Sequence, residues 1–126
     1  MTPLTQAILE TIIFFDLYDY PLTLSELRRY LWKYTITEEA LRTEVAHLSQ
    51  LTQINAFITL VGRENLVKQR QQNYLESERK WRRRWPYLRW LSALPGVEAL
   101  FVVNTLAYHN ARSDSDIDLL VITTPR

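Results

Sequence analysis

Apolar residues recur at helical spacing at the start of the chain, through Leu4, Ile8, Leu9, Ile12, Ile13 and Phe15. They predict a helix from Leu4 to about Tyr18 with one buried face. Pro21 disfavours helical backbone at Tyr20, so that helix should stop near Asp19. Thr23-Leu24-Ser25-Glu26 fits a capping box, in which Thr23 caps the next helix and Glu26 reaches back to the cap. Leu24, Leu27, Tyr30 and Leu31 form its inward face, and it should end near Lys33. Thr37 opens a third helix, whose Leu41, Val45, Leu48 and Leu51 predict helix over 37–51. Ala56-Phe57-Ile58-Thr59-Leu60-Val61, stopped by Gly62, reads as a strand or one arm of a hairpin.

From about Glu64 a long helical pattern runs to Trp85, then continues to Leu91 after a break or kink at Pro86. Ser92-Ala93-Leu94-Pro95-Gly96 is a stop signal that turns the chain into a strand over 97–103. A polar connection follows, and then a second strand over 116–123. Its Leu119-Leu120-Val121-Ile122 run is what a strand buried on both faces would show. The two strands should pair as neighbours, giving an α+β chain overall.

Composition narrows the class. With 126 residues, 47% of them hydrophobic and 12% aromatic, the chain can bury a core and fits one domain or two small units. The absence of cysteine excludes disulfides and thiolate metal sites and suits a reducing cytoplasm. Ile12-Ile13-Phe14-Phe15 is too short for a signal segment or a membrane span.

Charge separates two of the candidate functions. Three short helices followed by a β element is the order of a winged helix, with the helix over 37–51 in the recognition position. That helix opens with Glu38-Glu39, which suits its dipole but would meet phosphates badly. Duplex DNA is therefore disfavoured as a partner, and a packing or protein-contact role is the simpler expectation. The long helix has the opposite character, with Arg79-Lys80-Trp81-Arg82-Arg83-Arg84-Trp85 followed by Tyr87, Arg89 and Trp90. Interleaved arginine and aromatic residues serve single-stranded nucleic-acid platforms. An amphipathic helix that buries its Trp face and leaves its Arg face in water is the commoner arrangement and the expectation here.

The most specific chemistry lies at the end. On a strand, residues two apart share a face, so Asp116 and Asp118 should project together while Ile117 packs behind them. Two adjacent carboxylates repel unless a cation or a proton sits between them. Their hard oxygens suit Mg²⁺, which is commonly shared with substrate phosphates. Asp114 reads as a turn residue, and His109 as a loop residue.

Ser115-Asp116-Ile117-Asp118-Leu119-Leu120-Val121 resembles the nucleotidyltransferase superfamily, the polymerase-beta-like fold. Its signature is a Gly-Ser motif, a short helix, and then Asp-x-Asp on the next strand. Asn104-Thr105 stands where that family has Gly-Ser; Thr keeps a hydroxyl, and Asn tolerates left-handed backbone. The resemblance implies that Asp116 and Asp118 are catalytic carboxylates holding Mg²⁺ or Mn²⁺. Asn104 and Thr105 would then bind the phosphates of an NTP, and a nucleoside monophosphate would pass to an unknown acceptor.

The implied layout is a winged-helix-like unit over residues 1–62, a basic connecting helix over 63–95, and the first strands of a palm over 96–126. The family needs a third carboxylate on a later strand, so the chain is expected to be inactive alone, as the front part of a longer protein or a truncated relative. The open sheet edge is a site for self-association. The alternative is a winged-helix regulatory or protein-interaction module with a degenerate palm.

Overall fold

A computed structural model describes residues 2–125, so Met1 and Arg126, the outer ends of the first and last expected units, lie outside the described residues. The chain is mixed α+β with two small antiparallel sheets. It divides into two units, the first ending at Arg70 and the second beginning at Gln71.

The first unit runs α1 (Pro3–Asp16), β1 (Leu22–Thr23), α2 (Leu24–Tyr30), α3 (Glu38–Ala46), β2 (Leu51–Ile54) and β3 (Phe57–Leu60). Thr2, Thr23 and Thr37 cap the three helices, each accepting from the backbone N–H three residues on. Thr23 and Glu26 complete the expected capping box. The sheet has the order β1-β3-β2, with Leu22 opposite Ile58 and Leu51 opposite Leu60. Ile8, Leu22, Leu27, Leu41 and Ile58 are fully buried and form the centre of one apolar core. Burying a residue of this kind contributes about 1.5–3 kcal/mol, so these five account for much of the drive to fold this unit.

The third helix is shorter than its periodicity predicts. It stops at Ala46, and Leu51 opens a strand instead. Leu48 still packs against the core. A helical period cannot reveal that the backbone of 51–54 will pair with β3 across a two-residue turn at Asn55, which takes φ +54°.

One ionic cluster ties the unit together. The Arg70 guanidinium forms a two-pronged pair with Glu26, at 2.6 and 2.9 Å, and donates to the Tyr20 hydroxyl at 2.9 Å and to the Pro21 carbonyl. It lies over the Tyr20 ring, 3.9 Å from the centroid. Burial pushes the Tyr20 phenol up to about 12, despite the opposing pull of Arg70. Burial also works to raise Glu26, but the Arg70 hydrogen bond and the Thr23 donors outweigh it and hold the carboxyl below its usual value.

The second unit contains most of α4 (Asn65–Ser92), then β4 (Val97–Val103), α5 (Asn104–Ala107) and β5 (Asp118–Thr123). Helix α4 runs through Pro86 as one helix; of the break or kink expected there, a break does not occur. Proline in a helix costs about 3 kcal/mol, and the continuation buries Leu88, which offsets part of that cost. Strands β4 and β5 pair antiparallel, as expected, with Val103 opposite Asp118 and Leu100 opposite Val121.

Three further expectations fail in this unit. The second strand begins at Asp118, so Asp116 precedes it. Leu120, Val121 and Ile122 are exposed instead of buried on both faces, because among the described residues no layer covers them. Trp85 and Trp90 are 53% and 64% exposed, so α4 does not bury a Trp face in this chain.

The Arg70 cluster generates a stability prediction. Arg70→Ala leaves the half-buried Glu26 carboxylate without its cation and should cost about 1–3 kcal/mol, the range for a polar group that loses its partner. Glu26 holds its proton less tightly when folded, so its contribution is full at neutral pH. It fades as pH falls through the usual carboxylate range and below. Urea midpoints at pH 7 and pH 3 check this: the gap between wild type and Arg70→Ala should narrow in acid. An equal gap at both pH values would mean that Arg70 acts only by packing.

Candidate functional site

The site is built on one polar stripe of α4. Asn73, Ser77 and Lys80 are spaced by four and three residues, so they share a face. Ser77 is fully buried; its hydroxyl donates to the Asn73 carbonyl at 2.8 Å and accepts from the Ala111 N–H at 2.9 Å. The Asn73 side chain donates to Asn110 Oδ1 at 2.9 Å. Lys80 Nζ donates to the Ser115 carbonyl, and the Ser115 hydroxyl donates to the Arg112 carbonyl at 2.8 Å. The stripe therefore holds the β4–β5 connection at Asn110, Ala111 and Ser115, just before the two candidate carboxylates.

At the head of the sheet the chain leaves β4 through Asn104, which takes φ +60° and opens α5. Its side-chain amide donates to Asp118 Oδ2 at 2.8 Å. The left-handed backbone expected of Asn is thus present. Thr105 is exposed on α5, and its carbonyl accepts from the Asn110 N–H at 2.8 Å. Ser113-Asp114 forms the turn expected there.

Asp116 and Asp114 line one wall of an open groove of about 1210 Å³. The α4 side is mostly basic, with Arg79, Lys80, Arg82, Arg83 and Arg84 beside Tyr87 and Leu88, and it includes Glu76, which pairs with Arg79. The structure therefore joins Asn104 to Asp118 and puts Asp116 in the groove. The geometric premise for pairing the two carboxylates, a shared strand face, does not hold. His109 sits just after α5 with φ +52°, stacked on Tyr74 at 5.4 Å; its Nδ1 lies 3.3 Å from Glu78 Oε1 without hydrogen-bond geometry.

Among the described residues no three His, Cys, Asp or Glu side chains gather as a metal cage. Asp116 and Asp118 supply two hard oxygen donors, a set that suits Mg²⁺ where water and phosphate oxygens complete its coordination. Among the described residues no helix is long and apolar enough to cross a membrane. The sequence matches no family model, and no curated protein or solved structure is similar enough to it to count as a match.

Asn73, Ser77 and Lys80 escape a reading of the sequence because, one by one, they look like ordinary polar positions of an exposed helix. Their four-then-three spacing is the signal that could have marked them as a stripe. Ser77→Ala should leave the Ala111 N–H buried and unpaired, at a cost of about 1–3 kcal/mol. Hydrogen exchange provides the check: the Ala111 amide should exchange faster in the variant. Unchanged exchange there would show that Ser77 does not hold the connection.

Proposed function

We propose that the second unit is the beginning of a nucleotidyltransferase-like palm serving metal-dependent transfer of a nucleoside monophosphate from an NTP to an acceptor hydroxyl or similar group. The observation that carries this reading is the run from β4 through left-handed Asn104 and short α5 to Asp118 at the head of the antiparallel partner strand. It parallels the signature of that superfamily, with Asn104-Thr105 in place of Gly-Ser. The basic wall of the groove beside Asp116 supports an anionic substrate.

In this reading Asp116 and Asp118 hold Mg²⁺ or Mn²⁺. The ion, when bound, supplies alignment of the α-phosphate and neutralises charge that develops during attack. Asn104 orients the Asp118 carboxylate through its amide, and Thr105 offers a hydroxyl to the outer phosphates. The carboxylates available fall short of a two-metal site, so the residues 1–126 alone bind nucleotide without turning it over. The absence of cysteine agrees with a cytoplasmic setting.

A second reading concerns the first unit and rests on its own observation. The order α1-β1-α2-α3-β2-β3 with sheet order β1-β3-β2 supports a winged-helix-like regulatory or protein-contact module. Glu38 and Glu39 at the start of α3 argue against a duplex DNA partner. The open edges of the β4–β5 sheet suit self-association, which sedimentation velocity across a concentration series would reveal as a rising sedimentation coefficient; a constant one would exclude it.

Metal should raise the melting temperature of the intact chain. At metal about tenfold above its dissociation constant the gain is RT ln 11, roughly 1.4 kcal/mol. Asp118→Asn should abolish the shift in differential scanning fluorimetry. A shift that survives in Asp118→Asn, or no shift in wild type, would remove the metal assignment, and transfer by this chain alone would show a complete site.

A further inference from the structure

Helix α4 between Arg79 and Trp90 mixes charge and aromatic surface in a way that its sequence alone leaves open. Positions 79, 83 and 90 are separated by four and seven residues and 83 and 87 by four, so Arg79, Arg83, Tyr87 and Trp90 share one side of the helix. Tyr87 and Trp90 are 62% and 64% exposed. The aromatic rings therefore stand among the arginines, not on an opposite apolar face. A helix lying in a membrane interface would separate the two kinds of surface, and this one does not. No acidic residue occurs from Arg79 through Val97. Arg79 pairs with Glu76 at 2.6 Å, whereas among the described residues Arg82, Arg83, Arg84 and Arg89 make no ion pair; Arg84 lies 6.0 Å from the Tyr87 ring centroid.

We infer that this face binds a single-stranded nucleic acid. The arginines meet successive phosphates, and the exposed Tyr87 and Trp90 rings stack on bases. Two physical requirements of such a partner are met together: arginines at 82, 83, 84 and 89 that no carboxylate among the described residues pairs with, and ring faces left in water among them. Duplex DNA would satisfy the charges but would keep its bases stacked on each other, leaving the rings unused. An anionic membrane would satisfy charge too, but favours a segregated apolar face. Arg83, Arg84 and Tyr87 also line the groove beside Asp116, but strand binding requires neither Asp116 nor Asp118 and no transfer reaction.

The test is fluorescence anisotropy of the full chain with a labelled sixteen-nucleotide oligouridylate, in EDTA so that no metal takes part. A duplex of equal length, heparin, and phosphatidylcholine–phosphatidylserine vesicles serve as competitors. Four phosphate contacts at a single strand predict a slope of log K on log salt near about −3, which is roughly a fifty-fold loss between 50 and 200 mM salt. Tyr87→Ala and Trp90→Ala should each weaken binding about tenfold with unchanged circular dichroism, since neither ring is buried. Arg82→Gln with Arg83→Gln should flatten the salt slope. Binding that Tyr87→Ala and Trp90→Ala leave intact, or that duplex or heparin competes for equally well, would reduce the face to a general polyanion surface and overturn the inference. Vesicles outcompeting the oligonucleotide would overturn it in favour of a membrane, and absence of binding at low salt would end it.

Discussion

A loop that carries candidate catalytic carboxylates needs an anchor, because backbone outside helix and strand must find partners for its polar groups elsewhere. In the second unit the anchor is the buried Ser77 hydroxyl. It receives the Ala111 N–H and passes its own proton to the Asn73 carbonyl, while Asn73 and Lys80 grip Asn110 and Ser115 on either side. Three side chains on one helix stripe thus fix the path from α5 to the head of β5. Without them, Asp116 and Asp118 would lie at the end of an unsupported connection on a two-stranded sheet whose β5 is largely exposed. An exposed apolar sheet cannot supply that rigidity, so the polar stripe has to.

Much of the helical framework could be read from residues. Threonine caps at Thr23 and Thr37 and the apolar steps of α1 and α2 have local causes, and local causes are visible in a sequence. The start and end of β4 were legible for the same reason, because Pro95-Gly96 begins it and a polar connection follows. What escaped was decided at a distance. Leu51 fits a helical period, yet its backbone pairs with Leu60. Leu119–Ile122 has the composition of a buried strand, and burial depends on a covering layer that composition cannot supply. Trp85 and Trp90 likewise look like core and lie in water. Arg70 seemed one more charge on a basic helix, and proved to be the partner of a capping-box glutamate forty-four positions away.

The candidate site was legible in part. Asn104 was expected to tolerate a left-handed backbone and does adopt one, and its amide also meets Asp118, which no spacing rule foretells. Asp116 was assigned to a strand face and instead lies ahead of the strand, on a groove whose far wall is arginine-rich. That shift changes the chemistry. Two carboxylates on one face would form a preset cation site, whereas Asp116 lines a groove with arginines and Asp118 accepts from the Asn104 amide. A metal arriving with nucleotide phosphates would therefore meet a site completed by the substrate rather than a waiting cage, consistent with the way Mg²⁺ keeps water and phosphate oxygens as ligands.

The most direct measurement of this account is paramagnetic broadening by Mn²⁺, followed residue by residue in ¹⁵N-correlated NMR spectra of the intact chain with a non-hydrolysable NTP analogue. The account predicts selective loss of the Asn104, Thr105 and Asp116–Leu119 amide signals, with the Glu38-Glu39 region unaffected. Broadening centred on Glu38-Glu39, or spread evenly over acidic surface residues, would contradict a metal–nucleotide site at the head of β5.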